Sequence, residues 1–140
     1  MNNYSKNIRI VLEILEDERS GRVKEALQKM TSDYSMTWMY QTKSGELFPK
    51  SKNDIDKELE NVYQIKGRKY DIKNITENDT VVMVELVESY PDPETSKVYR
   101  TPLVLVLELV DGKIKKGRHY CDPKISYLYL TKEEIDKIYE

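Results

Sequence analysis

The chain has 140 residues, 34% of them charged and 39% hydrophobic, and a formal net charge of −2. These values are ordinary for a single globular domain with a real core, here residues 1–140. The small negative charge gives no reason to expect nucleic acid as a partner. The chain has one histidine and one cysteine, which excludes an internal disulfide and a zinc site built from nitrogen and sulfur ligands. We therefore expect no metal and no cofactor.

The chain opens on a polar stretch without a signal-peptide pattern, and no run reaches the roughly 20 apolar residues of a membrane span. A single cysteine fits a reducing compartment. We therefore expect a cytoplasmic protein with no membrane partner.

The first half of the sequence predicts helices around one short strand. Ser5 can cap a helix over residues 6–19, whose apolar residues recur at helical spacing. A second helix is predicted over 22–30 and a third over 54–65, where Asn53 is the cap. Between them, residues 36–41 predict a strand with Met36, Trp38 and Tyr40 on one face.

The second half predicts strands over 69–75, 80–90, 98–110 and 113–121, followed by a tail helix over 132–139. Thr131 and Glu134 have the spacing of a capping box at the start of that helix. Helices that come early and strands that come late predict an α+β fold, with helices on one face of a curved antiparallel or mixed sheet.

A hairpin is predicted at Asp111-Gly112, a typical two-residue turn. Such a turn places Val110 opposite Lys113 and, counting outward, Val104 opposite His119. A bulge would shift this register by one residue and exchange the two faces. The face opposite His119 carries four leucines, which predict a homodimer interface unless a layer of helices covers them. They are Leu103, Leu105, Leu107 and Leu109.

The hairpin also carries a resemblance. Gly112-Lys113-Ile114 and the strand ending with Arg118, Tyr120, Asp122 and Pro123 resemble the SnoaL-like branch of the nuclear transport factor two-like superfamily. The order of elements fits that superfamily from about residue 5 to residue 123. The resemblance implies a cone-shaped sheet wrapped on helices with a pocket between them, and often a dimer through the outer sheet face. Relatives include ketosteroid isomerases, polyketide cyclases, dehydratases and epoxide hydrolases, together with members that only bind or scaffold.

The sequence departs from the epoxide hydrolases of this superfamily at three places, one of which is the first strand, where Met36 and Trp38 replace polar pocket residues. His119 stands where they have a catalytic Asp, and Leu86-Val87-Glu88 stands where they have Arg-x-Asp. We therefore do not expect epoxide hydrolysis.

His119 and Glu88 are the catalytic candidates. An imidazole in an apolar pocket can act as a general base, although a histidine bonded in the core or an interface is the alternative. A buried Glu88 would have a raised pKa and could orient His119 or move a proton, although a strand-end glutamate beside a turn is also consistent. Cys121 shares the face of His119 but is more typical of an inert thiol, and Asp122 more typical of a cap.

Four residues can line a pocket for a flat apolar ligand, and core packing is the alternative for each. They are Trp38, Tyr40, Met36 and Tyr63. Arg100 is placed on the His119 face, where it can bind a carboxylate or remain solvated. The first hypothesis is a pocket protein for a small apolar ligand, such as an isomerase, cyclase or dehydratase that uses His119 for proton transfer. The alternative is a non-catalytic binding or assembly module that dimerises through its sheet face.

Overall fold

The computed structural model describes residues 3–40, 50–51 and 66–140. The predicted helix over 54–65 lies outside these residues, as does Tyr63. The helices are α1 (Lys6–Arg19), α2 (Val23–Gln28) and α3 (Lys132–Asp136). The strands are β1 (Met30–Trp38), β2 (Lys50–Ser51), β3 (Lys69–Asn78), β4 (Val81–Pro91), β5 (Val98–Val110) and β6 (Lys113–Tyr120). Two short 3₁₀ segments, Pro123–Leu128 and Lys137–Tyr139, flank α3.

The strands of the described residues form one curved mixed sheet in the order β2-β1-β6-β5-β4-β3. β1 pairs in parallel with β6, whereas every other neighbouring pair is antiparallel. The α+β prediction is therefore confirmed. Helix α2 is shorter than predicted and ends at Gln28, because β1 already begins at Met30, six residues before the predicted strand.

Helix α1 covers the inner face of this sheet. It begins where the sequence indicated, since the Ser5 side chain accepts a hydrogen bond from the backbone N–H of Ile8 at 3.1 Å. Val11 and Ile14 are buried against the strands. Every second residue of β4 and β5 completes the core, and each such aliphatic side chain stabilises the fold by about 1.5–3 kcal/mol. These residues are Val82, Val84, Leu86, Leu103, Leu105, Leu107 and Leu109.

A β-bulge in the hairpin decides which side chains face this core. Leu109 lies opposite Ile114, but Glu108 lies opposite Lys116, so Lys115 is the extra residue. His119 consequently lies opposite Leu105, and the predicted pairing with Val104 is wrong. The four leucines face α1, so they are core residues and not a dimer interface.

The other face of β5 and β6, called here the outer face, carries an ion pair. Arg118 Nη1 lies 2.6 Å from Glu108 Oε2 across the two strands. The bulge moves Lys115 out of register with Glu108, and Lys115 lies 3.8 Å from Asp33.

The tail wraps the end of the sheet at β4 and β5. Thr131 and Glu134 form the predicted capping box at the start of α3, and Ile135 of that helix is 2% exposed. Arg100 lies on the outer face and donates from Nη1 to the Leu130 carbonyl at 2.7 Å. The prediction that Arg100 shares the His119 face is therefore wrong, because β5 presents its odd-numbered residues to the inner face there.

Candidate ligand-binding site

The inner face of the sheet is apolar at one end and polar at the other. Near the Asp111-Gly112 turn, Leu107, Leu109 and Ile114 are buried among aliphatic neighbours. The polar groups gather at the opposite end, where β1 and β6 finish and β3 begins. They are Arg68, Tyr70, Glu88, Thr101, His119 and Cys121. This end is the candidate site.

His119 lies between two aromatic side chains. It pairs with Trp38 of β1, and the ring centroids of the two residues are 6.5 Å apart. The ring of Tyr40 meets the imidazole edge-on at 6.1 Å. Burial lowers the pKa of His119 to about 4, so the ring is neutral at pH 7. Its Nδ1 atom is buried and has no hydrogen-bond partner among the described residues.

Glu88 is an inner-face carboxylate, although it stands near the end of β4. It lies opposite Thr101 on one side and Tyr70 on the other. Arg68 Nη1 is 2.9 Å from Glu88 Oε2, and the Arg68 side chain is only 3% exposed. Burial raises the pKa of Glu88 more than the charge of Arg68 and the hydrogen bonds from Arg68 and Tyr70 lower it.

Glu88 and His119 lie far apart on the inner face. The register places Glu88 opposite Thr101 and His119 opposite Leu105, four residues apart on β5. Four residues of strand span about 13 Å, so Glu88 has no direct means of orienting the imidazole.

Cys121 follows His119 on the inner face and packs against the core. Burial raises the pKa of its thiol to about 11, and the charges of Glu88 and Asp122 add to this effect. A thiol with this pKa is protonated at pH 7 and is a poor nucleophile. Asp122 caps the following 3₁₀ turn by accepting from Lys124 N at 3.0 Å, as the sequence indicated.

Among the predicted ligand-contacting residues, the structure brings Trp38 and Tyr40 to His119. Met36 and Trp38 are also packed against the core. Arg100 lies on the outer face and does not reach this cluster.

Three polar residues at this end of the inner face were not predicted from the sequence, and they are Arg68, Tyr70 and Thr101. Arg68 pairs with Glu88, and Tyr70 donates from its hydroxyl to Glu18 Oε2 at 3.3 Å. The pairing of β3 with β4 places Tyr70 opposite Glu88. Counting alternate residues along the two strands does not predict this pairing, because a second bulge at Lys73 shifts the register by one residue.

Among the described residues, no three His, Cys, Asp or Glu side chains come together as metal ligands. The described helices include none that is long and apolar enough to cross a membrane.

A curved mixed sheet wrapped on N-terminal helices is the nuclear transport factor two-like fold. Solved structures share it. IdmH, a proposed polyketide cyclase of Streptomyces antibioticus, is 10% identical with a TM-score of 0.76, and the match covers 89% of this chain and 98% of IdmH. A proposed SnoaL-like polyketide cyclase of Shewanella putrefaciens is 11% identical with a TM-score of 0.74, over 91% of this chain and 86% of its own.

AclR, a proposed hydroxylase of Streptomyces galilaeus, is 15% identical with a TM-score of 0.73, and the match covers 87% of this chain and 94% of AclR. No protein-family model matches the sequence, and no curated protein matches it. At these identities the likeness establishes the fold, which the hairpin resemblance anticipated.

Proposed function

We propose that this chain binds a small, largely apolar ligand at the polar end of the inner face and exchanges a proton with it through His119. The observation that carries this proposal is the His119 Nδ1 atom, which is buried beside two aromatic rings without a hydrogen-bond partner among the described residues. A buried polar atom left unsatisfied costs about 1–3 kcal/mol. A hydroxyl or carbonyl group of a ligand would remove that cost.

The neutral state of the imidazole limits the chemistry. With a pKa of about 4, His119 accepts a proton at pH 7 only when a developing negative charge on the ligand raises that pKa. It can also donate a hydrogen bond to a carbonyl while it stays neutral. Both roles suit isomerisation, cyclisation or dehydration beside a carbonyl group. The polyketide cyclases among the structural neighbours support this reaction class.

Titration of the imidazole by NMR tests the proposal, and the signal is unambiguous because the chain has one histidine. We expect a pKa well below the ordinary value that shifts when a panel of small apolar ketones and acids is added. Tyr120→Phe is the control variant, since Tyr120 is the next residue but lies on the outer face. This substitution should leave the titration of His119 unchanged. An ordinary pKa that no compound moves would contradict the proposal.

A second candidate function is that of a non-catalytic module that forms a homodimer. The observation that favours it is the exposure of large side chains on the outer face, where Met83 is 41%, Val110 47% and Tyr120 40% exposed. Apolar side chains on one sheet face favour association with a second copy. A dimer is also compatible with the first function.

For location we keep the cytoplasm as a proposal, supported by the single thiol of Cys121.

A further inference from the structure

The first part of the C-terminal tail packs against the polar end of the inner face. This part, residues 122–129, is called here the strap. Tyr129 stacks on Tyr99 of β5 with the ring centroids 5.3 Å apart, and Tyr127 meets the same ring edge-on at 5.8 Å. The Tyr129 hydroxyl also lies 3.5 Å from Asp92 Oδ2. The strap is therefore held to the sheet chiefly by ring contacts with one tyrosine.

Behind these rings lies the buried ion pair of the candidate site. Tyr90 of β4 lies opposite Tyr99, and the centroids of their rings are 5.2 Å apart. The guanidinium carbon of Arg68 lies 4.5 Å over the Tyr90 ring, and Arg68 pairs with Glu88. A row of ring contacts thus leads from the strap to the ion pair.

The chain is well anchored on both sides of the strap. Before it, β6 ends at Tyr120, which is paired with Val104 of β5. After it, the Leu130 carbonyl accepts the hydrogen bond from Arg100 at 2.7 Å, and Ile135 of α3 is 2% exposed. The strap can therefore leave the sheet while the elements on either side of it stay in place.

The strap itself has few buried contacts. Ser126 is the one buried residue among residues 122–129, all of which the structure describes, and Tyr127 and Leu128 are 66% and 63% exposed. Tyr129 has a left-handed backbone conformation, with φ 48° and ψ 44°, which is strained for a residue other than glycine. Segments with few buried apolar contacts open locally at a small part of the free energy of global unfolding.

We propose that residues 122–129 form a strap that opens and closes the polar end of the inner face, with the Tyr129 ring as its latch. In the closed form Tyr129 is stacked on Tyr99. In the open form this stack is broken, and a ligand gains access to the ion pair of Arg68 with Glu88. The role in admitting a ligand rests on the proposed function, whereas the opening is a property of the chain that is measured without a ligand.

Labelling of Cys121 with a maleimide in the full chain tests the opening. Cys121 is the only thiol, is half-buried against the core and directly precedes the strap. We expect the wild-type protein to react more slowly than the unfolded chain, at a rate that low urea concentrations barely change, because a local opening exposes little surface. Tyr129→Ala should raise this rate about tenfold through loss of an aromatic stack and its burial.

Tyr139→Ala is the matched control. It removes a tyrosine from the same tail beyond α3, where the ring lies 4.9 Å from Lys73 Nζ, and it should leave the labelling rate unchanged. Equal rates for Tyr129→Ala and Tyr139→Ala would overturn the strap. A wild-type rate with the full urea dependence of global unfolding would also overturn it, and this measurement decides the question should Tyr129→Ala fail to fold.

Failure of the strap and failure of the proposed function give different results. If Cys121 is labelled through a urea-insensitive opening but no compound shifts the pKa of His119, the strap stands and ligand binding is contradicted. If compounds shift the pKa of His119 but Cys121 reacts only through global unfolding, ligand binding stands and the strap is overturned.

Discussion

The Nη1 atom of Arg68 lies 2.9 Å from Glu88 Oε2, and its guanidinium carbon lies 4.5 Å over the ring of Tyr90. This pair holds the polar end of the inner face together. The Arg68 side chain is 3% exposed, so its charge has little compensation from water. Removing Arg68 therefore takes away the cation that faces the mostly buried Glu88 carboxylate.

Arg68→Met is expected to lower the free energy of unfolding by about 2–3 kcal/mol, somewhat less than a fully buried pair because Glu88 is 21% exposed. Urea denaturation at neutral pH measures this change. Arg19→Met is the control, since Arg19 pairs with Glu16 on the surface and should matter little. Equal stabilities for the two variants would contradict the importance of the buried pair.

Glu88→Gln should change how stability depends on pH. Because the folded-state pKa of Glu88 is raised, its ionisation costs more in the folded than in the unfolded state. The stability that Glu88 contributes is therefore fully present below its unfolded-state pKa and is lost as pH rises through its folded-state pKa. The ordinary pKa of glutamate is about 4.5. Above that pH, we expect urea titrations to show the stability of Glu88→Gln relative to wild type increasing with pH. A difference that stays constant across this range would count against a raised pKa.

His119 should produce the opposite slope. Its pKa falls from 6.5 to about 4 on folding, so stability is present above pH 6.5 and is lost as pH falls toward 4. At about 1.4 kcal/mol per pKa unit, the loss amounts to roughly 3 kcal/mol. His119→Phe keeps an aromatic ring beside Trp38 and removes the titrating group. Urea denaturation at both ends of this range should show the loss in wild type and its absence in the variant; a loss that persists in His119→Phe must come from other groups.

Local sequence signals were sufficient to predict the elements whose ends are marked by a capping residue or a turn. The Ser5 cap and the helical spacing of Ile8 and Val11 marked α1, and the apolar run from Leu103 together with the Asp111-Gly112 turn marked the second half of β5. These features depend on residues close together in the chain. The early start of β1 at Met30 has no such marker, because its pairing partner β6 lies more than 80 residues later.

The orientation of the site residues depended on one extra residue. Lys115 and Lys116 are two consecutive polar residues between the inward-facing Ile114 and Gly117, so strict alternation fails there. That break was the available signal for the bulge, and it decides that His119 faces inward. The pairing of Arg68 with Glu88 joins residues 20 positions apart across another bulged strand pair, which no local pattern reveals.

Gly117 is an inward-facing residue with little space around it. A Cβ atom there would lie 2.7 Å from Met36 Cε and 3.2 Å from Leu107 Cδ2. Gly117→Ala should therefore lower the free energy of unfolding by less than about 1 kcal/mol, because the end of the flexible Met36 side chain can shift to make room. Met36→Ala in the same chain should recover part of this loss, because it removes the nearest atoms. Thermal or urea denaturation of the single and double variants measures both effects, and additive losses would contradict this contact.

The outer face carries the final prediction, that two copies of the chain associate through it. Val106 lies at the centre of this face, between Met83 on β4 and Arg118 on β6. We expect wild type to be a dimer at micromolar concentration by light scattering and Val106→Lys to be a monomer, because a lysine there would place charge in an apolar contact. Gln28→Lys is the charge-matched control on the exposed side of α2 and should stay dimeric. A monomeric wild type, or a dimer that tolerates Val106→Lys, would leave the exposed side chains of Met83, Val110 and Tyr120 without this role.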